Sequence, residues 1–151
     1  MRQVEYCEEP EFVKKSKKPT GRKLQGLKYE ANVAKVLKRL YSECEVMHGP
    51  WIKYLNGPKD CKVKWAQPDV VIVPKRGPIV IVECKLTWRP GASEKLERLY
   101  GPLIKRLYPR RKVVLVQVCK NLTERSKEEG ELQKLGELLK LPPQYHLCQF
   151  R

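Results

Sequence analysis

Three side chains at the borders of two short apolar runs have types and spacing suited to chemistry. Asp69 stands in Gln67-Pro68-Asp69, just before Val70–Val73, while Glu83 and Lys85 stand in Val82-Glu83-Cys84-Lys85, just after Ile79–Val82. Both runs are rich in β-branched residues and PKRGP separates them, which predicts a β-hairpin. The start of one antiparallel strand lies beside the end of its partner, so Asp69 should sit next to Glu83 and Lys85. Alternation puts Glu83 and Lys85 on one face and Cys84 on the other. Two carboxylates offer oxygens to a hard cation, and Mg²⁺ takes one or two of them with waters and substrate phosphate. Such an ion lowers the pKa of a bound water and clamps a phosphoryl oxygen. A nearby amine can orient or deprotonate that water, or neutralise charge building on the phosphate. The group therefore suits phosphodiester hydrolysis. The other reading of the same charges is a salt-bridge cluster at a sheet edge.

The elements around it follow from periodicity. Residues 24–41 predict a helix whose apolar arc holds Leu27, Ala31, Val33, Ala34, Leu37, Leu40 and Tyr41. Glu30 falls within that arc, and a buried carboxylate is costly unless it has a partner or a task. Residues 42–67 read as irregular or hairpin-like, with weak strand signals at Trp51–Leu55 and Lys62–Ala66. After the 70–82 hairpin, Ser93–Leu107 predicts a helix with an apolar stripe at Leu96, Leu99, Tyr100, Leu103, Ile104 and Leu107, stopped by Pro109. Val113–Val118 predicts a buried strand, joined by a right-handed crossover and so parallel to its neighbour. Ser126–Leu141 reads as a last helix, with Ser126 and Glu129 at capping-box spacing, and Tyr145–Phe150 as a short edge strand. The order is α β β β α β α, an α/β chain with a mixed central sheet of four or five strands between helices.

Pro68-Asp69, then fourteen residues on Glu83-Cys84-Lys85, each beside an apolar strand, resembles the PD-(D/E)xK nuclease superfamily. The resemblance covers roughly residues 20–120, and Glu30 matches the glutamate that the family's first helix supplies. It implies a restriction-endonuclease-like αβββαβ core. It implies Asp69, Glu83 and the carbonyl of Cys84 as metal ligands, Lys85 as the catalytic lysine, and Glu30 acting through water or a second ion. It also implies Mg²⁺ as cofactor with Mn²⁺ as substitute, and a phosphate contact from Thr87. The small size and the basic GRKLQGLKYE run before the Glu30 helix look most like the archaeal-type Holliday junction resolvases, homodimers that cut four-way DNA junctions. The segment between the Glu30 helix and Asp69 is longer than in that family, and Cys84 replaces its usual aliphatic residue.

Charge points the same way. The 151 residues hold 32 Lys and Arg against 17 Asp and Glu, a net charge of +15, which suits a polyanionic partner. From Lys14 to Lys28 run Lys14, Lys15, Lys17, Lys18, Arg22, Lys23 and Lys28 with no acid among them. Residues 1–23 therefore read as a flexible basic arm gripping phosphates, and 24–151 as a single nuclease domain. Arg89 is a further phosphate candidate. A cluster of Lys105, Arg106, Arg110, Arg111 and Lys112 either extends the DNA track or solvates a helix end. Trp88 could stack on a base or be a core residue, and Gln117 could face the site or be a polar residue of the sheet.

The partner expected is branched or duplex DNA. No apolar run is long enough for a membrane span and MRQVEYCEEPEF has no apolar leader core, so the expectation is a cytoplasmic or nucleoid-associated chain, not secreted and not membrane-bound. Six isolated cysteines without a CxxC pair read as thiols of a reduced compartment rather than as a zinc site. Two other functions stay open: a restriction-like, repair or replication nuclease acting on duplex, flaps or ends, and a non-catalytic basic DNA-binding module.

Overall fold

A computed structural model describes residues 1–14, 17–59 and 61–151. In chain order it contains β1 (Arg2–Cys7), α1 (Glu11–Lys14), α2 (Gly21–Leu40), β2 (Glu45–His48), β3 (Trp51–Leu55), β4 (Val63–Ala66), β5 (Val70–Val73) and β6 (Ile79–Thr87). There follow α3 (Pro90–Lys95), a π turn (Leu96–Tyr100), α4 (Gly101–Leu107), β7 (Val113–Asn121), a 3₁₀ segment (Arg125–Glu129), β8 (Leu132–Gln133), a second 3₁₀ segment (Leu135–Lys140) and β9 (Tyr145–Gln149).

The β-branched runs build the centre. β5 and β6 pair antiparallel with Val70 opposite Val82 and Ile72 opposite Val80. β7 lies parallel to β6 from Ile79↔Val113 to Thr87↔Asn121. The full sheet has six strands in the order β2-β5-β6-β7-β9-β8, one or two more than expected. α2, β2, β5, β6, the α3–α4 helix and β7 form the αβββαβ core of a restriction-endonuclease-like fold. The long connection before Asp69 is the β3–β4 hairpin, which joins β1 in a separate antiparallel sheet.

Because side chains alternate, each strand of the sheet feeds two cores. Val70, Ile72, Val80, Val82, Val114, Val116 and Val118 pack on Tyr29, Val33, Ala34 and Leu37 of α2. Val71, Ile79 and Ile81 pack on Leu96, Tyr100, Leu103 and Ile104 of the helix across the other face, together with Ile52, Tyr54 and Ala66 of the small sheet. Leu37 is fully buried, and truncating it to Ala would cost about 2–5 kcal/mol. Pro90 opens α3 at a position where a missing N–H costs nothing.

Several expectations are corrected. Residues 1–23 are not a free arm along their length: Arg2–Cys7 pairs with β3, Val4 and Tyr6 pack on the core, and Tyr6 and Tyr108 share a hydrogen bond of 3.1 Å. The period-two pattern of β1 is hidden by the charges beside it. β2 falls in the stretch expected to be irregular or hairpin-like, yet four residues at a sheet edge suffice because β5 supplies their partners. Ser126–Leu141 is not one helix. Gly130 at φ 99 breaks it, and Ser126 folds back on Thr123, its Oγ accepting from the Thr123 N–H at 3.0 Å, so it closes a local turn instead of capping a helix. Tyr145–Gln149 is not an edge strand, since β8 lies outside it. Phe12 makes edge contacts with Trp51 and Trp65.

Among the described residues no helix is long and apolar enough to cross a membrane. All six cysteines are free; Cys84, Cys119 and Cys148 are buried, Cys7 and Cys44 half-buried, and Cys61 exposed.

Candidate active site

Three hydrogen bonds fix Asp69 and the residues before it, apart from its carboxylate. Its carbonyl accepts the Gly49 N–H at 2.7 Å. Gln67, two residues earlier, donates from Nε2 to the Gly49 carbonyl at 3.0 Å, and its own carbonyl accepts the Tyr100 hydroxyl at 3.0 Å. Gly49 makes the turn from β2 to β3 at φ +62, a conformation that glycine adopts without strain. Tyr100 ends the π turn, a local widening of the helix that is often found beside functional sites.

The Val70↔Val82 register, extended by one residue, puts Asp69 across from Glu83. Asp69 Oδ2 accepts the backbone N–H of Cys84 at 2.7 Å, tying the start of β5 to the end of β6. Glu83 is 3% exposed. One of its oxygens lies 3.5 Å from Lys85 Nζ; the other, Oε2, is buried with no hydrogen-bond partner among the described residues. Lys85 keeps a third of its side chain in solvent. Glu30 comes from α2 and is 15% exposed, its Oε2 4.0 Å from His48 Nε2.

Burial dominates the electrostatics. It pushes the Glu30 carboxyl up to about 9, helped by a hydrogen bond to Asp69 and by the Asp69 and Glu83 charges, with Lys85 opposing. It pushes Glu83 up to about 7, with Asp69 adding to the rise and Lys95 and Lys85 opposing it. Two lysines beside a buried carboxylate therefore do not restore its ordinary acidity. Burial together with the Lys38 charge lowers the His48 pKa, against the pull of Asp69. The Cys84 thiol is raised well above its ordinary value, first by burial and then by the carboxylates, so it is no nucleophile.

These groups share one open cleft of about 980 Å³. Glu30, Asp69, Glu83, Cys84 and Lys85 line it, and so do Arg22, Lys23, Thr87 and Arg89. Lys17, Lys18 and Lys28 are exposed but are not among its lining residues. The side chain of Lys14 and all of Lys15 lie outside the described residues. Trp88 reaches the cleft wall but is 5% exposed and packs with Cys119 and Leu147, so it is a core residue rather than a stacking platform. Gln117 is fully buried; its Oε1 accepts the Arg89 N–H at 3.1 Å and its Nε2 donates to the Tyr145 hydroxyl at 2.8 Å. It holds the β6–α3 junction, which carries the cleft's cationic wall.

Sequence reading missed two residues. Lys95 lines the cleft and its charge acts on Glu83. It lies on a predicted helix, but only the packing of that helix aims it inward. His48 reaches Glu30 from a strand that the sequence does not announce.

The donors suit a small hard cation. No three His, Cys, Asp or Glu side chains among the described residues form a complete ligand set. Asp69 and Glu83 with a main-chain carbonyl is the sparser set that Mg²⁺ accepts, the rest being water and phosphate. Glu83 Oε2 is a buried oxygen with no hydrogen-bond partner among the described residues.

No protein-family model and no curated protein matches the chain. Among solved structures, it is similar to a repair endonuclease from Pyrococcus abyssi, at 19% identity and a TM-score of 0.45, over 89% of this chain and 49% of that one. It is also similar to protein VC1899 from Vibrio cholerae, at 16% identity and a TM-score of 0.42, over 80% of this chain and 28% of that one. A third is a structure of Thermococcus gammatolerans McrB AAA+ hexamers with bound McrC, at 15% identity and a TM-score of 0.38, over 76% of this chain and 31% of that one. The chain thus spans about half the length of the first and less than a third of the other two.

Proposed function

We propose that this chain is a metal-dependent, structure-selective DNA endonuclease, with the four-way junction as its substrate. The observation that carries the proposal is the buried, unpartnered oxygen of Glu83 beside Asp69 and Lys85, in a cleft rimmed by Arg22, Lys23, Arg89 and Lys95. A passive DNA-binding module gains nothing from burying two acids where a phosphate must approach. Asp69 and Glu83, with the Cys84 carbonyl, are the residues that would hold Mg²⁺ or Mn²⁺. When bound, the ion supplies Lewis-acid polarisation of the phosphoryl oxygen and an acidified water.

The protein's own groups do the rest. Arg22, Lys23 and Arg89 hold flanking phosphates by charge, without reading bases. Lys85 donates toward the phosphate oxygen on which charge develops. Glu30 orients water at the edge of the cluster. Hydrolysis adds water across one P–O bond and leaves a phosphate on one strand end and a hydroxyl on the other. A homodimer would present two such clefts to the two equivalent strands of a junction.

The test is a substrate panel: a labelled four-way junction, matched duplex, flap and single strand, each with Mg²⁺ and with EDTA. The proposal expects paired, symmetric nicks across the junction point, only with metal. Cutting confined to duplex, flap or strand ends would reassign the substrate. Binding without cutting in either Mg²⁺ or Mn²⁺ would remove the enzyme.

A further inference from the structure

The far end of the same hairpin holds a second cleft, of about 550 Å³. Lys75 and Arg76 come to it from the β5–β6 turn, and Arg110, Arg111 and Lys112 from the α4–β7 turn. Among the described residues no carboxylate lines it. Asp69 and Pro74 bracket β5, and five residues of strand span about 17 Å, so this is a separate site from the acidic cleft.

Five cations crowded together repel one another unless something is gained by their arrangement. None of the five forms an ion pair among the described residues. Their scaffold is nevertheless fixed. Arg111 donates from Nε to the Gly77 carbonyl at 2.9 Å and from Nη2 to the Pro74 carbonyl, clamping one turn to the other. Its own carbonyl accepts from Lys105 Nζ at 2.7 Å. Two of the five guanidinium N–H donors are spent in this clamp and three remain. The site is preformed, which lowers the cost of binding.

The apolar part of the lining decides the ligand. Leu139, Leu141 and Pro143 line the cleft together with the cations. A surface that only tracks duplex phosphates needs charge and no apolar concavity, and an inorganic anion needs no such volume. A cleft lined by both apolar side chains and cations suits a group with a flat apolar face and attached phosphates. We infer that this cleft binds a nucleotide unit, its phosphates on Arg76, Arg110 and Lys112 and its base against Leu139, Leu141 and Pro143. The unit is either a free nucleotide or one member of an unpaired strand. The inference stands apart from the proposed hydrolysis and survives its failure.

The probes are thymidine 3′,5′-bisphosphate, the matching abasic sugar bisphosphate and single-stranded decathymidylate, each added in EDTA to the full chain while backbone amides are followed by NMR. The bisphosphate should move amides of residues 75–78, 110–112 and 139–143. The abasic analogue should bind at least about tenfold more weakly, one decade of affinity. Arg76→Glu with Arg110→Glu, both at exposed positions, should keep a folded spectrum and lose at least about tenfold in affinity. Decathymidylate moving the same amides at lower concentration identifies an unpaired strand as the source; movement with the bisphosphate alone identifies a free nucleotide. Equal binding of the abasic analogue, or a double variant that binds like the parent, overturns the inference.

Discussion

Glu30 shows how far burial and two neighbouring carboxylates can shift a single carboxyl. Its folded pKa is raised to about 9, above the ordinary carboxylate value, so the metal-free folded chain holds a proton there that the unfolded chain releases. Its contribution to stability is fully present below the unfolded value and is lost as pH rises through about 9. Glu83, raised to about 7, acts with the same sign. In EDTA the Tm should therefore fall between pH 6 and 9, and Glu30→Gln should flatten that fall. At pH 8 the variant should melt higher than the parent by a few degrees, about 2–4 °C for each kcal/mol gained. A variant that melts lower at pH 8 in EDTA would mean that Glu30 is a structural acceptor and not a strained acid. The reason these residues could be read from the sequence lies in their setting. Asp69 and Glu83 interrupt the ends of apolar strands, and Glu30 interrupts an apolar helix arc, so each breaks a pattern that burial would otherwise keep. His48 and Lys95 break no pattern and were illegible.

At the scale of elements, two joints hold neighbouring segments together, and the first of them bears on the acidic cluster. The first is Gly49. A Cβ there would stand 3.0 Å from Gln67 Nε2 at a φ of +62. Gly49→Ala should cost about 1–2 kcal/mol and, by displacing the Asp69 carbonyl, lower the cutting rate more than DNA binding. Unchanged cutting in a stably folded Gly49→Ala protein would show that this joint does not position Asp69. The second is Tyr41, whose hydroxyl donates to the Leu135 carbonyl and accepts the Leu138 N–H at 3.0 Å. Tyr41→Phe removes both of these hydrogen bonds and should lower stability by about 1–3 kcal/mol, read by denaturant unfolding, without altering the cleft. A loss of less than half a kcal/mol would contradict that role.

These joints also explain what could and could not be foreseen. β5, β6, β7 and α2 carry their own periodicity and were legible. β2, β8 and the second 3₁₀ segment are held mainly by neighbours distant in the chain, such as β5 for β2 and Tyr41 for Leu135–Lys140. Local spacing at Ser126–Leu141 imitates a helix, but Gly130 at φ 99 prevents one.

Over the whole molecule the net charge of +15 is not spread evenly. Arg22, Lys23, Arg89 and Lys95 gather at the acidic cleft, and five further cations gather at the far end of the hairpin. Composition alone shows the excess of positive charge; only the fold divides it between two ends of one sheet. Junction binding in EDTA should weaken linearly on a log–log plot against salt. Arg22→Ala with Lys23→Ala should make that slope shallower by about 1.8 if both meet phosphates. An unchanged slope would take the start of α2 off the DNA. The central claim, that the buried acids serve bond cleavage, is tested most directly by single-turnover cutting of a four-way junction by Glu83→Gln in Mg²⁺, with binding measured on the same samples. The account predicts junction affinity within about threefold of the parent and a cutting rate lower by about 10²-fold or more. Parental cutting by Glu83→Gln would contradict it.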